Sequence, residues 1–153
     1  MFFVRSKIIL LLISLLILSG CGRQFTAVAP EGFAVYRAGS AFRAASHDRL
    51  VYRVKCTENI PYAEFSFWKE ALTKRMSDAG YRVINDSVIQ INDKDALFLE
   101  LVAPLGDSDY LYNILMMVEG KKILLAEAAG EVEIMHKNRE KIIKAFKSIG
   151  FKN

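Results

Sequence analysis

The sequence predicts an α+β fold, an antiparallel sheet of about six or seven strands with one inserted helix and one C-terminal helix packed on it. Three observations carry this expectation. Apolar residues alternate with period two in several runs separated by short Gly, Asn or Asp turns. The period changes to 3.6 twice, at 61–79 and at 131–149. The links between runs are shorter than the roughly dozen residues a parallel crossover needs, so neighbouring strands run antiparallel.

In chain order, three short strands come first, Phe33–Arg37, Ala41–Ala45 and Arg49–Lys55, with Ala38-Gly39 and His47-Asp48 as turn signals. Continuing the alternation of Leu50, Tyr52 and Val54 places Cys56 on the inward face, as a buried thiol. A nucleophile or an intermolecular bridge is the sharper alternative. From Pro61 to Ala79, Phe65, Trp68, Leu72, Met76 and Ala79 recur at helical spacing. Asn59 can cap this helix, Gly80 stops it, and Glu70 and Lys74 sit four apart on its outer face. Trp68 lies in the middle of the stripe, where a core role competes with stacking on a ligand.

Four longer strands follow, Arg82–Ile91, Asp95–Val102, Tyr110–Val118 and Lys122–Ala128. Asn92-Asp93 and Glu119-Gly120 turn two tight hairpins, and Ala103–Asp109 forms a longer connection. Asp95–Val102 and Tyr110–Val118 are apolar on both faces, as in strands at the centre of a sheet covered on both sides. The final helix spans about Glu131 to Ile149, with Met135, Ile142, Phe146 and Ile149 inward and Gly150 as its stop.

Ahead of this domain stands a different kind of segment. Arg5 and Lys7 form a positive region, Ile8 to Leu18 an apolar run, and Ser19-Gly20 a small-residue cleavage site. That is the order of a secretory signal. The apolar run rises only about 16 Å as a helix, against a hydrocarbon core of about 30 Å, which argues against a permanent span. The residues Leu18-Ser19-Gly20-Cys21 resemble the lipobox of bacterial lipoproteins. The resemblance implies cleavage before Cys21 and a diacylglyceryl thioether on its sulfur. Two or more acyl chains, at about 0.8 kcal/mol per buried CH₂, make a stable anchor. The plain alternative is a secreted protein whose first residue is cysteine. Gly22, where an aspartate would resemble an inner-membrane retention signal, favours the periplasmic face of the outer membrane. The expected organisation is a removed leader at 1–20, a lipidated tether at 21–31 and one globular unit at 32–153.

Removing the leader takes Arg5 and Lys7 and no acids, leaving 19 basic against 17 acidic side chains, a formal +2. So balanced a charge does not suggest nucleic acid. The terminal run AEAAGEVEIMHKNREKIIKAF, after a hairpin of long strands, resembles the closing hairpin and helix of PsbP-like domains over about residues 95–150. That resemblance implies an α/β/α sandwich, many examples of which are accessory or assembly factors, and lends no site residues.

No motif for catalysis, cofactor binding or a metal stands out. His47 and His136 are remote in sequence, and three or four His, Cys or acidic ligands at workable spacing, as zinc needs, are missing. His47-Asp48 could form half an acid–base pair but reads as a solvated turn. Cys56 with His47 has no spacing that demands contact, and no G-x-S-x-G elbow occurs. Asp107 and Asp109 suit a turn better than a calcium loop. Glu100 and Glu127 each interrupt an apolar strand, and buried carboxylates need a partner. Lys137, Lys141, Lys144 and Lys147 form a basic stripe on the last helix, either a solvated face or a contact for anionic lipid or an acidic partner protein. Two function classes follow: a lipid-anchored, non-enzymatic envelope module that binds a partner or assists assembly, or an envelope enzyme, hydrolase-like, without a readable motif.

Overall fold

The computed structural model describes residues 24–105 and 108–152. The expected leader, Cys21 and Asp107 lie outside them. Seven strands form one antiparallel sheet: β2 (Ala34–Ala38), β3 (Ala41–Ala45), β4 (Val51–Glu58), β5 (Arg82–Ile91), β6 (Lys94–Leu105), β7 (Ser108–Glu119) and β8 (Lys122–Glu131). Their spatial order is β2-β3-β4-β8-β7-β6-β5, so the C-terminal hairpin sits between the two N-terminal groups. A second, two-stranded sheet pairs β1 (Phe25–Thr26) with β9 (Gly150–Phe151). With helix α1 (Phe65–Asp78) and two C-terminal helices, α2 (Val132–Lys137) and α3 (Arg139–Lys147), the expected α+β class is the observed one.

Each face of the sheet collects its own apolar cluster. On one face, Met135, Ile142, Ala145 and Phe146 of α2 and α3, with Ile149 just after them, are buried with Tyr52, Val54, Phe98, Leu115 and Leu124. Phe146 sits between two rings, 5.8 Å from Tyr52 and 6.2 Å from Phe98. On the other face, Leu97, Leu99, Leu101, Ile114, Met116 and Ile123 are covered by Phe65, Trp68, Leu72 and Met76 of α1. None of the residues of α1 is fully buried, so this helix lies on its cluster without sinking into it. Trp68, expected at the centre of a buried stripe, is half-buried.

Several boundaries differ from the sequence expectation, each for a local reason. Helix α1 begins at Phe65, not at Pro61, because Asn59 does not act as its cap. Instead the Asn59 amide donates to the carbonyls of Ala63 (2.9 Å) and Gly120 (2.8 Å), and its Oδ1 accepts from Ala63 N (3.2 Å) and Trp68 Nε1 (2.6 Å). One buried side chain thus ties the approach to α1 to the β7–β8 turn. The far end behaves as expected: Gly80 has φ +88°, and Tyr81 N–H returns to the Met76 carbonyl at 3.1 Å. Lys74 pairs forward with Asp78 at 2.8 Å, not back with Glu70.

The C-terminal helix is interrupted at Asn138, whose side-chain amide donates to the Ile134 carbonyl at 3.0 Å in competition with the helical ladder. Ladder pairing continues through the expected long connection at 103–109, so only residues 106–107 separate β6 from β7. Pro104 is accommodated because β5 stops pairing at Val102, leaving that side of β6 without a neighbour. Gly150 is a strand residue, where a Cβ would lie 3.3 Å from Asn92 Nδ2 and 3.4 Å from Thr26 Oγ1. Part of the expected tether is drawn into the fold, since Phe25 is buried and pairs with Phe151.

Gly130 marks the tightest packing. A Cβ there would come within 2.2 Å of Leu50 Cδ2, and Leu50 is completely buried. Gly130→Ala is expected to lower unfolding stability by about 1–3 kcal/mol in urea titration, because Leu50 has no free space to enter.

Candidate functional site

The two faces of the sheet are not equally covered. Helix α1 lies mainly over β5, β6 and β7 and reaches β8 at the Ile123 end. Beside it, β2, β3, β4 and the Glu127–Ala129 part of β8 remain open on the same face. Register places one row of side chains across this face: Tyr36 opposite Arg43, Arg43 opposite Arg53, Arg53 opposite Glu127, and Glu127 opposite Ile114, which lies in the cluster beneath α1. The next row runs Ala45, Val51, Ala129, Tyr112. Alternation explains both rows, because Phe42, Ala44, Tyr52 and Val54 occupy the intervening positions and point into the core.

These rows form a recess of about 220 Å³, lined chiefly by Tyr36, Arg43, Val51, Arg53, Tyr112 and Glu127. Glu127 is bonded through both carboxylate oxygens. Its Oε2 accepts from Arg53 Nε and Nη2, each at 2.6 Å, and its Oε1 accepts from the Tyr112 hydroxyl at 2.5 Å. Burial, and then the Glu127 carboxylate, push the Tyr112 hydroxyl well above the usual tyrosine range, so it stays protonated and donating. Arg43 is different. Its Nε is buried and makes no hydrogen bond, and its guanidinium has no ion pair among the described residues. Two arginines thus stand side by side over one carboxylate that serves only one of them. Val51 is 48% exposed and Tyr36 43%, so the rim presents apolar surface to any ligand.

The residues singled out in the sequence do not converge on this recess, apart from Glu127. Glu100 lies on the opposite face, where Arg139 Nη2 donates to both carboxylate oxygens at 2.9 and 3.1 Å and Asn85 adds a bond at 3.2 Å. Both intrastrand carboxylates therefore have arginine partners. His47 is exposed, and Asp48 lies in its turn, where the Ser46 hydroxyl, helped by His47 and Lys137, holds the carboxyl below its ordinary value. Cys56 is half-buried, and desolvation pushes its thiol up. Trp68 donates to Asn59 and packs beneath α1 on the covered half. His136 is exposed, on a different element from His47. Lys137, Lys141, Lys144 and Lys147 are exposed on α2 and α3 and form none of the ion pairs among the described residues. No group of three or more His, Cys, Asp or Glu among the described residues could hold a metal ion.

Sequence reading missed Arg43 and Tyr36. The usable signal was the alternation Phe42-Arg43-Ala44 and Tyr52-Arg53-Val54, which puts both arginines on one outward face. It could not say that α1 would leave that face open.

No protein-family model and no curated protein matches the sequence. The fold does have solved likenesses. It resembles LpqN, involved in cell envelope biogenesis of Mycobacterium tuberculosis, with TM-score 0.72 and 7% identity over 88% of each chain. It resembles PA94 of Pseudomonas aeruginosa, a protein of unknown function and putative regulator, with TM-score 0.62 and 10% identity over 79% of this chain and 98% of that one. It also resembles cyanobacterial PsbP (CyanoP) of Synechocystis sp. PCC 6803, with TM-score 0.59 and 12% identity over 88% and 90%. At such identities the likeness is one of fold, and it extends the PsbP-like pattern beyond the terminal hairpin and helix.

Arg139→Ala would leave the buried Glu100 carboxylate with Asn85 as its remaining partner. It is expected to cost about 1–3 kcal/mol in chemical denaturation, since Arg139 itself is partly exposed, and adding Glu100→Gln should recover part of the loss.

Proposed function

We propose that this chain is a lipid-anchored envelope module that works by binding, with the open half of the sheet as its working surface. The observation that carries the reading is the uneven cover of one sheet face, which leaves a recess beside the part that α1 covers. The carboxylates that would attract an enzymatic reading are each held by an arginine. General acid–base chemistry needs a group free to exchange its proton with a substrate, and Glu100 and Glu127 are instead committed to structural pairs.

The lipobox-like Leu18-Ser19-Gly20-Cys21 supplies the attachment in this reading, on the periplasmic face of an outer membrane. Among the described residues no helix is long and apolar enough to cross a membrane; in this reading the acyl chains on Cys21 provide the attachment. The anchor would be close. Gln24 is already fixed by a hydrogen bond from Lys152 N at 3.0 Å, so only Gly22 and Arg23 separate the lipidated residue from the fold, a reach of about 11 Å at full extension. Lys147 and Lys152, exposed beside β9, lie at the same end of the chain path and would face the headgroups.

Two experiments test the reading. Cys21→Ser should leave the protein unlipidated, with its leader retained or misprocessed; a mature-sized, membrane-bound product would contradict the anchor. Ala129→Phe fills the recess without changing charge. An envelope component that co-purifies from gently solubilised membranes should be lost in this variant at unchanged melting temperature. Retention there, with loss in Lys141→Gln/Lys144→Gln/Lys147→Gln, would move the working surface to the basic stripe.

A further inference from the structure

We propose that the recess on the open half-face is a receptor for an oxyanion, a carboxylate or phosphate group at the end of a larger ligand, with Arg43 as its principal contact. The proposal rests on the open half-face being the binding surface and adds the chemical class of what binds there.

The argument begins with the cost of charge. A guanidinium carries five donors and stays ionised at any physiological pH, so partial burial without an acceptor is unfavourable. The two carboxylates most buried within this sheet each have a counter-group, whereas the half-buried Lys55 and Lys122 form none of the ion pairs among the described residues and, unlike Arg43, bury no unbonded nitrogen. Glu100 has Arg139, and Glu127 has Arg53 and Tyr112. Arg43 has none, although its Nε is shielded from solvent and its Cα partner across the ladder is a second arginine. Like charges directly opposite each other on one face destabilise a sheet. Glu127 does not relieve this, since its carboxylate is bonded to Arg53 and Tyr112 and makes no hydrogen bond or ion pair with Arg43. The acceptor that completes the row is therefore expected from outside the chain.

Size and lining define the rest of the ligand. A recess of about 220 Å³ falls below the roughly 300–1,000 Å³ that encloses a drug-sized molecule, so it suits a terminal group whose body extends past the rim. The exposed Tyr36 ring and Val51 side chain flank that exit and favour an apolar or aromatic body. A planar guanidinium grips carboxylate and phosphate in the same two-pronged manner, so the chemistry is shared between the two groups. The basic stripe on α2 and α3 is a weaker candidate, because its lysines are solvated and none is shielded without a partner.

The test uses the lipidated full-length protein in a nonionic detergent, with benzoate and phenyl phosphate as probes. The shielded Arg43 Nε–H gives a side-chain NMR resonance that Arg43→Gln assigns by its disappearance. Each probe should shift that resonance saturably, and the tighter one names the group. By competition against the bound probe, Arg43→Gln should weaken binding about 10–100-fold, as expected for loss of a charge-assisted hydrogen bond, with Arg43→Lys falling between. Lys141→Gln/Lys144→Gln/Lys147→Gln should leave binding unchanged. Equal affinity in Arg43→Gln, a linear non-saturating shift, or loss only in the lysine variant would overturn the assignment. If Ala129→Phe abolishes co-purification of the envelope component while Arg43→Gln does not, the oxyanion fails and the open half-face stands as the binding surface.

Discussion

Strands β6, β7 and β8 carry apolar side chains on both faces, and the architecture follows from the need to cover both. Leu97, Leu99 and Leu101 face one way while Ala96, Phe98 and Val102 face the other, all of them buried. One layer comes from the chain's end, where α2 and α3 follow β8 directly. The other comes from α1, inserted between β4 and β5. A helix about 10–12 Å wide and about 21 Å long cannot span seven strands, which extend about 29 Å across the sheet. Part of that face must remain open, whatever the helix's orientation.

The chain has adapted to that limit strand by strand. Beneath α1 the outward positions are Leu, Ile and Met. On β3 and β4, outside its reach, Arg43, Arg53 and Lys55 take outward positions among Ala45 and the exposed Val51. Glu127 and Tyr112 sit on the border between the two regions and link them through hydrogen bonds. Because Arg53 is tied to Glu127, it serves as part of the wall. Arg43, shielded and unmatched, is where the pairing within the sheet stops. The opposite face shows the closed version of the same problem, with Glu100 buried under Arg139 at the start of α3. Tyr52 Oη and Asn113 Oδ1 also lack hydrogen-bond partners there, but both lie in the row covered by the C-terminal helices.

Much of this fold was legible from periodicity, because burial enforces it. Strand pairing, both tight hairpins and the two helical regions follow from alternation and from Asn92-Asp93 and Gly120, which take positive φ. Boundaries were less legible where a polar side chain formed bonds that periodicity does not report. Asn59 delays α1, and Asn138 divides the last helix, each by hydrogen-bonding nearby backbone. Phe25 was unreadable as a core residue because its partner, Phe151, lies at the other end of the chain. The candidate site was half-legible. Glu127 drew notice as a carboxylate in an apolar strand, whereas Arg43 looked like any outward arginine. Its importance depends on where α1 stops, and that is a matter of three-dimensional width.

The uncovered half-face as a binding surface can be tested in intact cells by placing a photoreactive residue at Val51, in the recess, and separately at Glu70 on the exposed surface of α1 and at Lys141 on the basic stripe. The structure predicts a discrete adduct from position 51 that disappears when Ala129→Phe is added, with none of comparable yield from 70 or 141. Adducts from 70 or 141 with position 51 silent would contradict it.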